Sequence, residues 1–406
     1  MSWRNTTLRA VSDVALGRQR APQHATGPNM VPYLRAANVK DGVLDLDDVL
    51  EMNFTPSEQN VFSLRPGDVL MTEGSGSRSV VGSSAVWRSE IGGTVCFQNT
   101  LLRLRPRSDA TDPRYLAWWA QAARVSGQLA AIAGGANIYH LSAERVRQLA
   151  ISLPPLEEQR RIADFLDRET QKIDAVVSSK QKLLSLTEER IDGRILEFIG
   201  SSPLVSDRET VLSTLPIRRL LLKLVRPVVT GGEVITAFRD GQVTARSQRR
   251  AEGYTLSSSA DAHGQHVDVG DVVIHGLDGF AGAIGTSEAA GNCSPVYHVC
   301  APLRGGNAWY FGRLLRVLAV SGYLGLFATS TRERAVDFRN WDQFGRIPVP
   351  DVPVEEQDEI GEWITSVRPL RALMERSFSL AEERRRALIT AVVNGQIDVT
   401  TARGVD

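Results

Sequence analysis

The side chains that could carry out chemistry in this sequence do not form a recognisable catalytic or metal-binding pattern. The small-residue loop Gly74–Ser77 lacks the Gly-Lys-Ser/Thr that a phosphate-binding loop needs. One set of histidines and cysteines lacks the close, paired spacing of zinc ligands: His263, His266, His298, Cys293 and Cys300. The sequence therefore predicts that this chain is not an enzyme and holds no metal or cofactor of its own.

Polar and cationic side chains in predicted loops are better suited to binding nucleic acid. The planar guanidinium of arginine can bind a phosphate or the edge of guanine through two hydrogen bonds, and shorter polar groups can bond to other base edges. The candidates in the first half of the chain are Ser75, Ser77, Arg78, Arg88, Asn99, Tyr139 and His140. Those in the second half are Arg246, Arg249, Arg250, Arg332 and Arg334.

Each of these candidates also has a purely structural interpretation. Any of the arginines could lie on a solvated surface or in an internal ion pair. Asn99 suits a turn or a cap as well as a base contact, and Tyr139 and His140 could pack at a domain edge. The sequence leaves both interpretations open.

A short phrase that occurs twice indicates which elements position these loops. Leu153–Gln159 reads LPPLEEQ and Val352–Gln357 reads VPVEEQ, and the two glutamines are 198 residues apart. Each copy precedes a long helical pattern, over Arg160–Ile199 and Asp358–Ile397. The simplest account is a duplicated module, each copy a globular segment followed by a helix. Two similar surfaces would suit a long, repetitive ligand, of which DNA is the obvious candidate.

The two globular segments share one predicted order of elements. In the first, a turn leads into a strand at Val69–Thr72, followed by a loop at Gly74–Arg78, a strand at Thr94–Leu104 and a helix at Pro113–Leu129 that Asp112 caps. The second has a strand at Val272–Ile274, a loop over 276–285 and a helix at Trp309–Leu318. Diverged loops on a shared frame are expected if the halves contact different sequences.

The long helical runs are amphipathic, so each needs a partner. Apolar residues recur at intervals near 3.5 in the first run: Ile162, Leu166, Ile173, Val177, Leu184, Ile191 and Phe198. The second has a poorer stripe: Ile360, Ile364, Val367, Met374, Leu388, Val392 and Ile397. The two predict an antiparallel pair, the second helix one turn shorter, with Pro369 causing a bend near Arg368 or starting a separate helix.

Charge follows the same division, although the net charge of the chain is zero. Lysine and arginine minus aspartate and glutamate give +3 for residues 1–150, −2 for 151–200, +3 for 201–350 and −4 for 351–406. Basic globular parts with acidic helices fit a DNA-binding protein with protein partners, although a codon bias towards arginine could explain the scarcity of lysine. The chain has no long apolar run and only three cysteines, so we expect it in the cytoplasm.

Taken together, these residues resemble the specificity subunits of Type I restriction-modification systems. The resemblance rests on both copies of the phrase with their helices, on Val393–Asp398 near the end, and on Gly134–Tyr139 before Leu141-Ser142. It covers nearly the whole chain in the order domain, helix, domain, helix. The second copy departs from the first in its shorter helix, in Pro369 and in having Val352 where the first has Pro154.

The resemblance implies an α+β fold class: two similar α/β target recognition domains separated by two long antiparallel helices in a coiled coil, with an internal pseudo-two-fold repeat. The implied boundaries are target recognition domain 1 at 1–152, spacer helix 1 at 153–200, target recognition domain 2 at 201–350, spacer helix 2 at 351–398 and a tail at 399–406.

The resemblance also implies a function. Such a subunit is non-catalytic, and each target recognition domain reads one half of a bipartite, asymmetric site in double-stranded DNA. The implied partners are two adenine-methyltransferase subunits and, in a complex that also restricts, two restriction–translocation subunits. These partners would bind S-adenosylmethionine, ATP and Mg²⁺, and no membrane is involved. The residues leave a second class open, a structural adaptor that bridges proteins with only non-specific DNA contact.

Overall fold

The computed structural model describes residues 3–76, 81–136, 138–199, 213–249, 264–327 and 337–399 of the chain. The chain divides into two compact units, Met1–Ser178 with Ser377–Asp406 and Ser179–Arg376. Each unit therefore combines one globular part with a portion of both long helices.

The first globular part is built on an antiparallel sheet whose strands lie in the order β2 (Ser12–Leu16), β9 (Leu101–Pro106), β5 (Val69–Thr72) and β7 (Ser84–Val86). Helix α3 (Pro113–Val125) packs on this sheet because its buried face carries large apolar side chains, including Tyr115, Leu116 and Trp119. The elements of this part and the first long helix are β1 (Arg4–Thr7), α1 (Leu8–Val11), β2 (Ser12–Leu16), β3 (Met30–Leu34), β4 (Leu50–Asn53), α2 (Pro56–Phe62), β5 (Val69–Thr72), β6 (Gly74–Ser75), β7 (Ser84–Val86), β8 (Cys96–Phe97), β9 (Leu101–Pro106), α3 (Pro113–Val125), α4 (Gln128–Ile132), β10 (Tyr139–His140), α5 (Ala143–Arg147), β11 (Ala150–Leu153) and α6 (Leu156–Ile199).

The second globular part is again built on an antiparallel sheet, whose strands lie in the order β13 (Leu221–Lys223), β20 (Tyr297–Pro302), β17 (Val272–His275) and β18 (Ile284–Thr286). Its elements and the second long helix are β12 (Thr214–Pro216), α7 (Ile217–Leu220), β13 (Leu221–Lys223), β14 (Ile235–Ala237), β15 (Val243–Ala245), β16 (Gln265–Val267), β17 (Val272–His275), β18 (Ile284–Thr286), β19 (Gly291–Cys293), β20 (Tyr297–Pro302), α8 (Ala308–Val320), α9 (Trp341–Phe344), β21 (Pro348–Pro350) and α10 (Val354–Val393).

The second unit repeats the element order of the first. The sheet β13-β20-β17-β18 corresponds strand by strand to β2-β9-β5-β7, and α8 follows its last strand as α3 does. The first strand of each part also pairs with the last, β1 with β11 and β12 with β21. The predicted duplication is confirmed, and so is the mixed helix and strand fold class.

The two long helices run antiparallel. In the first unit, Ile162 near the start of α6 shares a core with Val392 near the end of α10. In the second unit the order is reversed, and Ile191 near the end of α6 shares a core with Ile360 near the start of α10. All four residues belong to the predicted apolar stripes, so burial of those stripes accounts for the pairing.

The helix lengths agree with the predicted difference of one turn, and α6 ends at Ile199 as predicted, but the other three helix termini differ from the prediction. Helix α6 has 44 residues and α10 has 40. Both begin inside the repeated phrase, four residues earlier than predicted. Helix α10 ends four residues before Ile397, because Gly395 adopts a φ of 71° that stops the helix. Pro369 lies inside α10, so the prediction of a separate helix beginning there is wrong.

Three other predicted elements differ from the structure. The strand expected at Thr94–Leu104 is two strands in different sheets, because β8 pairs with β3 whereas β9 joins the main sheet. The loop expected at Gly74–Arg78 begins with a short strand, β6, which pairs with β10. The helix expected to reach Leu129 ends at Val125, and Leu129 lies in the separate helix α4.

Candidate nucleic-acid interface

One end of each main sheet is tied to a long helix, and we call it the anchored end. In the first unit this is the end at which β5 begins and β9 finishes. The chain passes from β9 to Asp112, whose carboxylate caps α3 by accepting the Arg114 N–H at 2.9 Å. Asp68, which is 1% exposed, pairs at this end with Arg105 at 2.7 Å. The anchored end is therefore closed by buried polar contacts.

The anchor in the first unit is the glutamine of the repeated phrase. The Gln159 side chain is fully buried, and its Oε1 accepts the backbone N–H of Asp112 at 2.9 Å. Its Nε2 donates to the carbonyl oxygens of Pro154 at 2.8 Å and Ala110 at 3.1 Å. One amide thus joins the start of α6 to the residue that caps α3.

The second unit has the same anchor. The Gln357 side chain is 3% exposed, and its Oε1 accepts the backbone N–H of Asn307 at 3.1 Å. Its Nε2 donates to the Val352 carbonyl at 2.7 Å. Asn307 caps α8 as Asp112 caps α3. The recurrence of this arrangement explains why both copies of the phrase end in glutamine.

The opposite end of each sheet carries loops, and we call it the loop edge. In the first unit, the Glu73 N–H donates to the Thr100 carbonyl at 2.9 Å and the Leu141 N–H donates to the Glu73 carbonyl at 2.8 Å. In the second, Gly276 makes the same two bonds with Val296 and Phe338. The loop edge comprises residues 73–76, 98–100 and 138–141 in the first unit, and 275–278, 294–297 and 337–339 in the second.

The first loop edge brings together four of the predicted contact residues. Strand β6 pairs with β10 so that Ser75 lies opposite Tyr139 and Gly74 lies opposite His140. Asn99 immediately precedes Thr100, which is bonded to Glu73. Ser75, Asn99, Tyr139 and His140 therefore form one polar surface, although they come from three separate parts of the sequence.

His140 is held at this surface by Glu73. The His140 Nδ1 lies 3.1 Å from both carboxylate oxygens of Glu73, and the histidine side chain is 54% exposed. An ionised carboxylate can only accept hydrogen bonds, so Nδ1 carries the proton. The Nε2 of a neutral His140 is then an acceptor.

The second loop edge contains a histidine with the opposite arrangement. The Nδ1 of His275 accepts the backbone N–H groups of Leu277 at 3.1 Å and Asp278 at 2.9 Å. Partial burial lowers the pKa of His275, so its ring is neutral at pH 7 and its proton lies on Nε2. Among the described residues, Nε2 has no hydrogen-bond partner.

A glycine makes room for a cation beside His275. A Cβ at Gly276 would lie 2.6 Å from the Val296 carbonyl oxygen and 2.7 Å from the Arg339 Cγ, so only glycine fits here. The Arg339 guanidinium pairs with Asp337 at 2.6 Å and its side chain is 58% exposed. The second loop edge therefore presents an imidazole N–H next to an exposed guanidinium.

Three other predicted residues lie outside the loop edges. Arg88 is exposed and follows Trp87, whose N–H donates to the Asp68 carbonyl at the anchored end. Arg246 starts a 3-10 turn, and the Arg249 guanidinium pairs with Asp240 at 2.9 Å. The remaining predicted contacts lie outside the described residues: Ser77, Arg78, Arg250, Arg332 and Arg334.

Three residues of the loop edges were not predicted from the sequence: Glu73, His275 and Arg339. A signal was present, because the alignment of Val69–Thr72 with the strand at Val272 places His275 at the end of the strand that leads into the loop edge. The candidates predicted in the second half of the chain were all arginines, so His275 was not among them.

Charged hydrogen bonds also join the helices within each unit. In the first unit, the Trp118 Nε1 donates to Asp167 at 2.9 Å and Arg114 pairs with Asp164 at 2.7 Å. In the second unit, Arg313 is 12% exposed and bonds to the side chains of Glu188 and Asp192 on α6. These contacts fix α3 and α8 against the long helix in their own unit.

The described residues contain neither a cluster of metal ligands nor a membrane-spanning helix. No group of three or more histidine, cysteine, aspartate or glutamate side chains within them could hold a metal ion. No helix in the described ranges is long and apolar enough to cross a membrane.

The first globular part and the start of α6 are similar to a known protein family. Residues 8–184 match the model of the Type I restriction modification DNA specificity domain. The resemblance to Type I specificity subunits that the sequence predicts is thereby confirmed.

Two curated relatives are specificity subunits of Type I restriction enzymes. The chain is 27% identical over 155 residues to the StySPI specificity subunit of Salmonella potsdam, which is 38% of this chain and 32% of the relative. It is 27% identical over 147 residues to the EcoKI specificity subunit of Escherichia coli, which is 36% of this chain and 30% of the relative. The chain thus matches about a third of the length of these relatives.

A solved structure shares the fold along the whole chain. A chain from the assembly of a type I R-M system has a TM-score of 0.55 and 14% identity, with 98% of both chains covered. The HsdS subunit from Thermoanaerobacter tengcongensis has a TM-score of 0.42 and 16% identity, with 98% of this chain and 97% of that one covered.

Proposed function

We propose that this chain is the non-catalytic DNA sequence-specificity subunit of a Type I restriction-modification complex, and that it recognises a bipartite, asymmetric site in double-stranded DNA. The observation that carries the proposal is the duplication: two units share one fold, and each has a loop edge with different polar residues. Two loop edges with different side chains would recognise two different half-sites, which would make the DNA site asymmetric.

The proposed contacts in the first unit are centred on its loop edge. Ser75, Asn99, Tyr139 and His140 would bond to base edges in the major groove, together with Ser77 and Arg78, which follow Ser75 in the chain. Arg246, Arg250, Arg332 and Arg334 are proposed phosphate or base contacts of the second unit. Arg88 and Arg249 are weaker members of the set, since Arg88 follows the anchored end and Arg249 is paired with Asp240.

The long helices have two proposed roles. They would fix the number of unread base pairs between the half-sites, and they would serve as the scaffold for two adenine-methyltransferase subunits. Restriction–translocation subunits would join where the complex also cleaves DNA. S-adenosylmethionine, ATP and Mg²⁺ would be bound by these partners, and the complex would act in the cytoplasm.

The proposal is tested by mapping methylated adenines. The chain is expressed with its cognate methyltransferase subunits in a host that lacks adenine methylation, and modified adenines are located across the genome. We expect a single motif of two short, different words separated by a fixed number of unread base pairs. Methylation without a sequence motif, or DNA binding that is uniform and salt-sensitive, would support the structural adaptor instead.

The role of the helices is tested separately from the role of the loop edges. Four residues are inserted after Lys180 in α6 and four after Arg376 in α10, which adds about one turn or 6 Å to each helix. At about 3.4 Å per base pair, we expect the gap in the motif to grow by about two base pairs while both words stay the same. A change in the words with no change in the gap would contradict the assigned roles.

A further inference from the structure

Each loop edge presents one histidine, and the two rings are bonded in opposite ways. His140 has its Nδ1 against the carboxylate of Glu73, whereas His275 has its Nδ1 against two backbone N–H groups. Since a neutral imidazole has one N–H and one bare nitrogen, the partner of Nδ1 decides what Nε2 can do.

The partner of Nδ1 fixes the orientation of each ring. The carboxylate of Glu73 accepts from the Nδ1 of His140. The Leu277 and Asp278 N–H groups donate, so the His275 proton lies on Nε2, which presents a hydrogen-bond donor. The Tyr297 ring holds His275 edge to face at a centroid distance of 4.6 Å, which limits rotation of the imidazole.

The major groove contains the complementary groups. Guanine N7 and O6, adenine N7 and thymine O4 accept hydrogen bonds, whereas cytosine N4 and adenine N6 donate them. A fixed donor and a fixed acceptor therefore select different bases. A histidine whose ring can turn over would not discriminate in this way.

Resting on the function proposed above, we propose that His275 is a specificity-determining residue of the second half-site, which it reads by donating from Nε2 to a base acceptor, and that His140, held by Glu73, contacts a base of the first half-site through Nε2. The two edges then place one imidazole each on a shared frame, and each ring is held by different partners.

The test uses His275→Asn in the full complex with the methyltransferase subunits. The asparagine Oδ1 can take the place of Nδ1 and keep the bonds from Leu277 and Asp278, but no donor reaches the position of Nε2. Methylated-adenine mapping, or selection from a library randomised at both half-sites, then gives the motif. We expect the preference at one base position of one half-site to fall roughly tenfold, while the other half-site and the gap stay unchanged.

Two further variants complete the test: one changes the histidine of the first unit, and the other is a control in the second unit. His140→Asn should weaken one position of the other half-site only. His266→Asn makes the same change in the second unit, but His266 pairs with Asp268 at 3.1 Å in the segment before β17. That variant should leave every position of the motif as it is. Thermal melting of each complex shows which variants are folded. Any His275→Asn complex that does not fold is replaced by His275→Ser, whose hydroxyl can accept from the Leu277 and Asp278 N–H groups but is too short to reach the position of Nε2.

The outcomes distinguish a failure of the proposed histidine contacts from a failure of the proposed function. A wild-type complex without a bipartite motif would overturn the proposed function. A wild-type complex with the motif, and folded His275 variants that keep every base preference, would overturn the inference alone. A loss of overall affinity with unchanged base preferences would also overturn it, because a merely structural role predicts that result.

Discussion

Two buried amides connect the globular parts to the long helices at the scale of single residues. Gln159 and Gln357 each bond to the backbone of the residue that caps the neighbouring helix, and neither side chain reaches solvent. Because a buried polar group without a partner is costly, these amides have a large effect on stability for their size.

Replacement of Gln159 by leucine should destabilise the first unit. The substitution keeps the volume but leaves the Asp112 N–H and the Pro154 and Ala110 carbonyls without their partner. We expect a loss of about 2 to 3 kcal/mol in the free energy of unfolding, measured by denaturant titration.

The control for this change is Gln181→Leu, which lies at an exposed position of the same helix. It should alter the unfolding free energy by less than about 0.5 kcal/mol. Equal effects at the two positions would show that the amide is not an anchor.

A buried histidine makes the stability of the second unit depend on pH. His298 is 3% exposed, its Nε2 lies 2.6 Å from the Phe338 carbonyl, and burial lowers its pKa. The folded state therefore holds the ring neutral at a pH at which the unfolded chain, with a pKa near 6.5, takes up a proton. Stability should fall as the pH drops below about 6.5, by at most about 1.4 kcal/mol per pH unit for this group.

His298→Gln separates this effect from general acid sensitivity. Glutamine can still donate to the Phe338 carbonyl but does not titrate. Melting temperatures of the wild type and the variant between pH 5 and pH 7.5 should diverge, with the shallower slope in the variant. Parallel curves would mean that His298 does not carry the dependence.

At the scale of elements, the features that depend on hydrophobic periodicity and helix capping could be predicted from the sequence. The strand at Val69–Thr72, the cap at Asp112 and the apolar stripes of α6 and α10 are as expected, because each depends on neighbouring residues alone. The break between β8 and β9 was not predictable in this way, since it depends on the pairing of β8 with β3 more than 60 residues earlier.

The candidate site could likewise be predicted from the sequence only in part. Ser75, Asn99, Tyr139 and His140 could be nominated from residue type, but their assembly needs the pairing of β6 with β10. The roles of His140 and His275 depend on hydrogen-bond partners that no local pattern contains. The hydrogen-bond partners that carry the proposed base contacts are therefore visible only in three dimensions.

Pro369 lies inside α10, and its replacement should stabilise the helix. It lies at an exposed position in the helix, and it cannot donate the backbone hydrogen bond that any other residue would give to the Thr365 carbonyl. Pro369→Ala should raise the free energy of unfolding by about 1 to 3 kcal/mol. Leu373→Ala, at a position that is 65% exposed, is the control and should change little. A variant no more stable than the wild type would indicate that the helix has already adapted to the proline.

At the scale of the whole molecule, the duplication extends to how each globular part follows a long helix. The first residue of β12, Thr214, comes after α6 along the chain. In the first unit, Trp3 lies just before β1 and its ring is 3.2 Å from the Cβ position of Gly395, just past the end of α10. The start of β1 is therefore next to the end of α10 in space.

This neighbourhood predicts that the order of the two halves along the chain can be exchanged. A chain that runs from Ser213 to Val399, through a short flexible linker, and on from Trp3 to Ile199 should fold and give the original methylation motif. A break between Leu102 and Arg103, in the middle of a sheet strand, should instead abolish folding. Under the proposed function, an exchange of halves between such chains would combine different half-sites without any change to the long helices.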